Sequence, residues 1–532
     1  MASQRLTIFL LTADVTEPAD AIDVDAGLTY ESHELNPSST IAGAFYSKSN
    51  PPATPAWARY VEPLLTGIPD VNSASASGVL IVEASGRHFA LTFGFGRNLL
   101  DQTKIERRFG LKVALNRIDA KQIRSLDTKT FEDMVVSRST QTSKNAEQAS
   151  FGVDAARDLL RAVTGRPVDD RLGRTITGAD ALVLTTQVPV QDITVLLTEL
   201  LTAYEDETYK TDFAWIDHLA EIKDPALVED LDDLIVQQLR AGDTTSSHLA
   251  TPDNLAWDEV QGFKIEGARD RIFEDLDLGD YLDELGPKRS QQTIELLKSR
   301  KVKVGWIKTG TYDTRWSVYS TLVSEQKLAG DLYALIEGRW FAISRTLVDE
   351  VDGYLATLPS ANTVLPAALE GEHEEAYNTR AASLNSDLLL LDRQMATAQG
   401  ARSTIEFCDL LASNGELIHV KRKSRSATLS HLFAQGGVSA STLFGDGGFR
   451  DQVRDRLSQV AGTDAERWLG LVPDSATQPE RTRYKVHFAV LTGTKGAGVA
   501  WLPFFSKLNL MQTAKQIRGL GPEVMITRVP LV

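Results

Sequence analysis

The chain contains 532 residues, more than one compact core usually holds, so roughly two to four domains are expected. Its formal net charge of −16 argues against a protein that coats nucleic acid over its whole surface, although a local basic groove is compatible with that charge. No apolar run is long enough to cross a bilayer, and the single cysteine, Cys408, excludes an intrachain disulfide framework, so we expect a cytoplasmic protein with no membrane partner.

The first 130 residues are predicted to form a strand-rich α/β domain (1–130). Two apolar runs, Gly78–Glu83 and His88–Phe93, flank a turn of Ala-Ser-Gly-Arg, which indicates a hairpin. A further strand is predicted at Leu111–Leu115. The polar segment Ser137–Gln148 lacks periodic apolar residues, so we predict a mobile loop there.

The middle of the chain is predicted to contain two different regions. Residues 150–300 are expected to be mainly helical, because helical periodicity covers Asp154–Val163, Ile193–Tyr204 and Ala226–Leu239. Residues 301–358 return to strand patterns with several tryptophans, so we expect a small β-rich segment whose aromatic side chains pack in a core. The alternative is base stacking on exposed rings beside a basic groove.

Residues 359–532 are predicted to form an α/β domain with a mixed sheet, which makes the whole chain a multi-domain α+β protein. The predicted helices are Glu374–Asn385, Thr428–Gln435, Phe449–Val460 and Phe504–Leu520. The predicted strands are Leu388–Leu391, Ile405–Leu411, Leu417–Val420, Lys485–Leu491 and Val524–Val529.

Chemistry-bearing residues concentrate between positions 404 and 438. Asp409 lies near the end of one predicted strand, and a turn of Ala-Ser-Asn-Gly leads into the next strand. His419 and Lys421 are two residues apart on that second strand, so they share one of its faces. Carboxylates suit Mg²⁺, which takes oxygen ligands, and a lysine can stabilise charge at a scissile phosphate.

This order of residues resembles the restriction-endonuclease-like pattern. In that pattern a helix supplies one acid, a strand supplies an Asp, and the next strand supplies Glu-x-Lys or Asp-x-Lys. The resemblance implies that Glu374 or Glu375 is the helix acid, Asp409 the strand acid and Lys421 the lysine, with Gln435 as the polar residue of the following helix. It also implies a divalent metal, Mg²⁺ or Mn²⁺.

One position departs from the pattern, because His419 stands where a carboxylate is expected. Neutral imidazole binds Mn²⁺ or Zn²⁺ more readily than Mg²⁺. Three alternatives follow: a site built around the histidine, a site whose carboxylate is shifted to Glu416 or Glu406, or a site that is catalytically inactive. In the first case the metal ligands would be Glu374, Glu375, Asp409 and His419, and the catalytic residues would be Asp409, His419, Lys421 and Glu375.

Four cations stand close together in an otherwise acidic chain. They are Lys421, Arg422, Lys423 and Arg425. We expect them to contact nucleic-acid phosphates, with Gln435 and His431 on the following helix beside the same groove. The alternative is a solvated strand edge whose charges discourage strand addition.

A second resemblance spans nearly the whole chain. It rests on the segments FALTFGFGRNLL (89–100), FGLKVALN (109–116), EEAYN (374–378), IEFCDLL (405–411), LIHVKR (417–422), LSHLFAQGGVSA (429–440) and FFSKLNL (504–510). The chain resembles an uncharacterised, sporadically distributed bacterial family whose genes often lie near mobile or restriction-type defence genes. The resemblance implies a setting in antiviral defence, with a possible protein partner there, and it implies that His419 belongs to the family pattern.

These observations predict a protein of bacterial defence that engages DNA or RNA through a local basic groove. One hypothesis is a divalent-metal-dependent nuclease with a divergent Glu…Asp…His-x-Lys site. The alternative is a non-catalytic sensor or scaffold that recognises nucleic acid or a phage component.

Overall fold

The structure is a computed structural model in which two compact units are distinguished. The first unit comprises Met1–Lys129 and Ser137–Ile216, and the second comprises Thr130–Val136 and Asp217–Val532. The structure describes residues 3–23, 30–36, 38–39, 41–67, 71–131, 135–146, 151, 158–253, 255–269, 271–307, 310–397, 404–423 and 427–532. The chain is a multi-domain α+β protein with a mixed C-terminal sheet, which confirms the predicted fold class.

The first unit is built on one ten-stranded sheet of order β2-β3-β4-β5-β1-β10-β9-β8-β6-β7. Its strands are β1 (Gln4–Leu10), β2 (Glu31–Glu34), β3 (Gly43–Ala53), β4 (Ser73–Ala84), β5 (Arg87–Gly94), β6 (Ile118–Phe131), β7 (Val135–Ala146), β8 (Asp158–Pro167), β9 (Ile176–Gly178) and β10 (Leu182–Thr186). Its helices are α1 (Ala56–Val61), α2 (Phe109–Arg117), α3 (Ile193–Glu205) and α4 (Lys210–Phe213). The predicted hairpin is confirmed, because β4 pairs with β5 across the Ser-Gly turn.

The strand predicted at Leu111–Leu115 is wrong, because these residues lie in the helix α2. The helix buries apolar side chains on several sides, and such a short apolar run cannot be distinguished from a buried strand by periodicity. Its Gly110 lies directly against the backbone carbonyl of Ala181, where a Cβ atom would have no room. The helix therefore packs closely against the chain at the start of β10.

Two further expectations in the first unit are wrong. The predicted loop Ser137–Gln148 is strand β7 as far as Ala146, and its last two residues lie outside the described part of the chain. The predicted helix Asp154–Val163 is strand β8 from Asp158 onward, while residues 154–157 are not described. In both cases backbone pairing in the large sheet outweighs the local side-chain pattern.

The second unit contains a five-stranded sheet of order β11-β18-β17-β16-β12 and a three-stranded sheet of order β13-β14-β15. The strands are β11 (Leu219–Glu221), β12 (Ser247–Leu249), β13 (Val260–Ile265), β14 (Lys301–Trp306), β15 (Tyr312–Ser317), β16 (Leu322–Leu328), β17 (Asp331–Ile336) and β18 (Arg339–Ile343). The helices are α5 (Pro225–Ala241), α6 (Leu278–Leu285), α7 (Ile294–Ser299), α8 (Val318–Thr321) and α9 (Arg345–Leu355). The expected aromatic packing is present, since Trp316 and Trp340 are buried in one core.

A second part of this unit carries a mixed sheet of order β19-β22-β23-β24-β25 and a small pair of strands, β20 and β21. The strands are β19 (Leu388–Leu390), β20 (Met395–Thr397), β21 (Thr404–Glu406), β22 (Leu410–Ala412), β23 (Glu416–Arg422), β24 (Lys485–Thr492) and β25 (Glu523–Pro530). The helices are α10 (Glu374–Leu384), α11 (Ala427–Gly445), α12 (Gly447–Ala461), α13 (Ala465–Leu469) and α14 (Phe504–Leu520). The first three strands of the sheet are antiparallel, whereas β23, β24 and β25 are parallel.

Helices cover both faces of this mixed sheet. Tyr377 and Ala381 of α10 pack in one apolar cluster with Ile418 and Val420 of β23. Helix α11 contacts β23 and β24 and packs on α14. Successive residues of a strand point to opposite faces, so His419 and Lys421 belong to the face opposite Ile418 and Val420. Within the described residues, no helix is long and apolar enough to cross a membrane.

Candidate metal centre

The site begins where β23 extends beyond its neighbour β22. The strand predicted at Ile405–Leu411 is broken into β21 and β22, so β22 ends its pairing with β23 at Leu410. Two carboxylates then replace the missing strand along the free edge of β23. The backbone N–H of Val420 donates to Oδ2 of Asp409 at 2.7 Å, and that of Arg422 donates to Oε1 of Glu374 at 3.0 Å.

Three acids converge beside this edge. One carboxylate oxygen from each of Asp392, Glu406 and Asp409 lies within 4.8 Å of the other two. Asp392 follows β19, Glu406 ends β21 and Asp409 precedes β22, so three strand ends bring the side chains together. Asp409 is only 6% exposed, and the other two acids are half-buried. Oxygen ligands of this kind suit Mg²⁺ or Mn²⁺, so the donor set fits a hard divalent cation.

The environment of Asp409 and Glu406 disfavours the ionised form of both acids. The pKa of Asp409 is raised to about 8, mainly by burial and also by the carboxylates of Glu406, Asp392 and Glu374, while the hydrogen bond from the Val420 N–H opposes this rise. The pKa of Glu406 is also raised, first by burial and then by Asp392. Near neutral pH such a group of acids binds a proton or a cation, because like charges this close disfavour full ionisation.

A lysine and a glutamine border the acids. Nζ of Lys421 lies 2.9 Å from Oε2 of Glu374. The positive charge of Lys421 opposes the rise in the pKa of Glu406 that burial causes. Nε2 of Gln435 donates to Oε2 of Glu406 at 2.7 Å. The structure therefore brings four predicted residues, from α10, the start of β22, β23 and α11, to the same place: Glu374, Asp409, Lys421 and Gln435.

His419 occupies a different environment from the acids. Its side chain is 0% exposed, and neither ring nitrogen has a hydrogen-bond partner among the described residues. Its ring centroid lies 6.1 Å from that of Phe488. Burial, followed by the charge of His487, lowers the pKa of His419 to about 3, so the imidazole is neutral. Its nitrogen atoms do not belong to the group of ligand atoms formed by the three acids.

Two other predicted acids also lie apart from the three converging carboxylates. Glu375, one residue after Glu374, is 61% exposed and forms an ion pair with Arg393 at 2.9 Å. Glu416 is fully buried and lies 3.2 Å from Nδ1 of His487, which keeps the pKa of Glu416 at about 2 in spite of the opposing effect of burial. Glu416 and Glu406 are the two candidates for the carboxylate that position 419 lacks. Of these two, Glu406 is the one that lies beside Asp409.

The predicted basic residues make contacts within the protein. Arg422 donates from its guanidinium to the backbone carbonyl of Glu372, and Lys423 donates from Nζ to the carbonyl of Trp501 at 3.3 Å. His431 lies on the exposed side of α11. Arg425 lies outside the described residues.

Sequence reasoning missed two residues of the site. Asp392 directly follows the predicted strand Leu388–Leu391, and an acid at a strand end could have been noted there. Asn378 belongs to α10, one turn after Glu374, and donates from Nδ2 to Oδ2 of Asp392 at 3.3 Å. Asn378 follows the candidate acid Glu374 by four residues, which places both side chains on the same side of a helix, and this spacing could have identified it.

Comparison with known proteins identifies a family. The model of a family described as "Family of unknown function (DUF6119)" matches residues 6–530, so the chain belongs to that family. No curated protein and no solved structure gives a significant match to the chain.

Proposed function

For this member of the DUF6119 family, we propose a divalent-metal-dependent phosphodiesterase activity on nucleic acid, at the site formed by Asp392, Glu406 and Asp409. The observation that carries the proposal is the convergence of these three carboxylates within 4.8 Å beside Lys421. The proposed cation is Mg²⁺ or Mn²⁺.

A divalent cation fits the residues for an electrostatic reason. Burial and mutual repulsion raise the pKa of both Asp409 and Glu406, so full ionisation of these acids costs free energy in the folded protein. A cation bound by Asp392, Glu406 and Asp409 would remove that penalty. When bound, it would polarise a phosphate oxygen and lower the pKa of a water molecule.

The remaining residues have distinct proposed roles. Glu374 holds the ammonium group of Lys421 at 2.9 Å, and Lys421 then offers positive charge to a phosphate group. Gln435 orients Glu406 through a hydrogen bond of 2.7 Å. In the nuclease pattern a carboxylate is expected at position 419. In this proposal Glu406 supplies that carboxylate in place of His419.

His419 has a structural role in this proposal. Its buried neutral ring packs on Phe488 and supports the strand that carries Lys421. The setting in antiviral defence and a restriction-endonuclease-like origin for the C-terminal part are further parts of the proposal, since they rest on the resemblance of sequence patterns alone.

The test is a cleavage assay with matched carboxylate variants. The purified chain is incubated with end-labelled single- and double-stranded DNA and RNA, with Mn²⁺, Mg²⁺ or EDTA. We expect metal-dependent cleavage that Glu406→Gln and Asp409→Asn abolish and that Glu375→Gln leaves unchanged. Glu375 is the control because it is an exposed acid next to Glu374 that pairs with Arg393.

Three results would contradict the proposal. Cleavage that persists in EDTA would exclude the metal, and cleavage that survives in both site variants would exclude the site. Binding of nucleic acid by all variants without any cleavage would instead favour the non-catalytic sensor or scaffold, and its salt dependence would measure the phosphate contacts involved.

A further inference from the structure

Helix α10 presents two side chains to the acids. Glu374 and Asn378 are four residues apart, so they lie one above the other on the same side of the helix. Glu374 binds Lys421 and the backbone N–H of Arg422. Asn378 is 1% exposed and contacts Asp392. This side of the helix therefore contacts Asp392 of the proposed metal centre and Lys421 beside it.

The amide group of Asn378 has one satisfied end and one unsatisfied end. Nδ2 donates to Oδ2 of Asp392 at 3.3 Å. Oδ1 is buried and has no hydrogen-bond partner among the residues that the structure describes. Both atoms are attached to one carbon, so the unsatisfied acceptor belongs to the same amide group that contacts Asp392.

The contact with Asp392 fixes the orientation of this amide. If the amide were rotated by half a turn, Oδ1 would face the carboxylate of Asp392, and two acceptors would then oppose each other. The rotated amide would also leave its N–H groups without the acceptor that Asp392 provides. The unsatisfied atom is therefore the oxygen, and it requires a donor.

A hydrated cation supplies such a donor. Mg²⁺ bound by a few carboxylates keeps several of its water molecules, and those molecules donate hydrogen bonds. Buried polar atoms in folded proteins almost always have a partner, so an orphaned acceptor on the amide that contacts Asp392 points to a bound species.

We propose that Asn378 is a positioning residue of the metal centre, with Nδ2 orienting Asp392 and Oδ1 accepting a hydrogen bond from a water molecule of the hydrated cation. This inference rests on the proposed metal site. It adds α10 to the elements that determine metal affinity, and it assigns to Asn378 a role outside the direct ligands.

Mn²⁺ binding and metal-free stability together test this role. Isothermal titration with Mn²⁺ and thermal unfolding in EDTA are measured for the full-length protein and for Asn378→Leu. We expect the Mn²⁺ affinity to fall about 10- to 100-fold, as is usual when a residue that orients a metal ligand is removed. We expect the unfolding temperature in EDTA to be unchanged or higher, because the variant removes an unsatisfied buried acceptor.

Two further variants complete the design. Thr379→Val is the matched control, because Thr379 is exposed on the same helix and its hydroxyl donates to the carbonyl of Glu375 within that helix. It should retain the affinity of the parent protein. Asn378→Ala removes the same amide without adding bulk. If the leucine variant does not fold, the Mn²⁺ affinity of Asn378→Ala shows whether the amide contributes to metal binding.

The outcomes separate the two proposals. If the parent protein binds no Mn²⁺, the metal site fails and the role of Asn378 fails with it. If Asp409→Asn abolishes binding while Asn378→Leu and Asn378→Ala bind Mn²⁺ normally, only the inference on Asn378 is overturned. A loss of metal-free stability in the Asn378 variants with unchanged affinity would likewise overturn it, because that pattern describes a packing residue.

Discussion

Lys421 and Glu374 form an ion pair with 2.9 Å between Nζ and Oε2, although 47 residues separate them in the chain. The other carboxylate oxygen of Glu374 accepts the backbone N–H of Arg422, so one acid both closes the strand edge and holds the lysine. The pair is about one-third exposed, so its contribution to the free energy of unfolding is small, on the order of 1 kcal/mol or less. We infer that its main role lies in the position of the ammonium group.

Replacement of this lysine should separate catalysis from metal binding. For Lys421→Met we expect cleavage to fall about 100-fold or more, because a preorganised charge at the phosphate is lost, while Mn²⁺ affinity stays within about 3-fold. The measurements are single-turnover cleavage and titration with Mn²⁺. Lys423→Met is the control, since Lys423 contacts the carbonyl of Trp501. Equal losses in both variants would refute the specific role of Lys421.

Replacement of Asp409, the most buried of the three converging acids, should stabilise the metal-free protein at high pH. The pKa of Asp409 is raised from 3.8 to about 8, so its protonated form stabilises the fold at low pH, and this contribution is lost as the pH rises through about 8. Asparagine does not ionise, so Asp409→Asn should not lose stability as the pH rises through this range. Its amide oxygen can still accept the hydrogen bond from the N–H of Val420. We therefore expect its free energy of unfolding in EDTA, relative to the parent, to increase between pH 5 and pH 9.

Chemical denaturation across this pH range measures the effect, and added Mn²⁺ provides the second readout. Mn²⁺ should stabilise the parent protein at pH 8 and should not stabilise Asp409→Asn. Glu375→Gln, an exposed acid of the neighbouring helix, should respond to Mn²⁺ like the parent. A flat pH dependence of the difference between Asp409→Asn and the parent would contradict the raised pKa.

Replacement of His419 by leucine distinguishes a structural histidine from a metal ligand. The pKa of His419 is lowered from 6.5 to about 3, so the neutral ring contributes its stability above pH 6.5 and loses it as the pH falls toward 3. Relative to the parent protein, the free energy of unfolding of His419→Leu should therefore increase by about 1.4 kcal/mol for each unit that the pH falls from 6.5 toward 3. At pH 7 the variant should be equally or more stable, because two unpaired buried nitrogens are removed.

Titration with Mn²⁺ gives the decisive comparison for His419→Leu. Since the ring lies outside the group of ligand atoms, affinity should change by less than about 3-fold, whereas loss of a direct ligand would reduce it much further. A collapse of Mn²⁺ affinity would mean that His419 is a ligand and that the site is built around histidine.

The hydrogen bond from helix α11 to the acids should tune metal affinity. Gln435 donates to Glu406 at 2.7 Å, so Gln435→Leu should free the carboxylate and weaken Mn²⁺ binding about 10-fold. His431→Ala serves as the control, because His431 lies one turn earlier on the exposed side of the same helix. Identical Mn²⁺ affinities for the two variants would show that Gln435 does not orient Glu406.

Local patterns located several C-terminal elements closely because their apolar residues follow helical or strand spacing. The helix Phe449–Val460 and the strand Val524–Val529 were found within one or two residues, and Asp409 and Lys421 were selected as chemical candidates. The same rules failed at two places. Leu111–Leu115 was predicted as a strand but lies in a helix that packs closely on the sheet. Ser137–Gln148 was predicted as a loop but forms an exposed edge strand as far as Ala146.

By itself, the sequence determined the order of helices and strands in the C-terminal part, and it determined that an acid, a lysine and a glutamine fall near their ends. Only the tertiary structure decided that Asp392 and Glu406 join Asp409 while His419 packs on Phe488. The physical reason is that β22 pairs with β23 over a short register, which exposes an edge of β23 for carboxylates to occupy. Such a register depends on backbone hydrogen bonds between distant segments, and no local pattern encodes it.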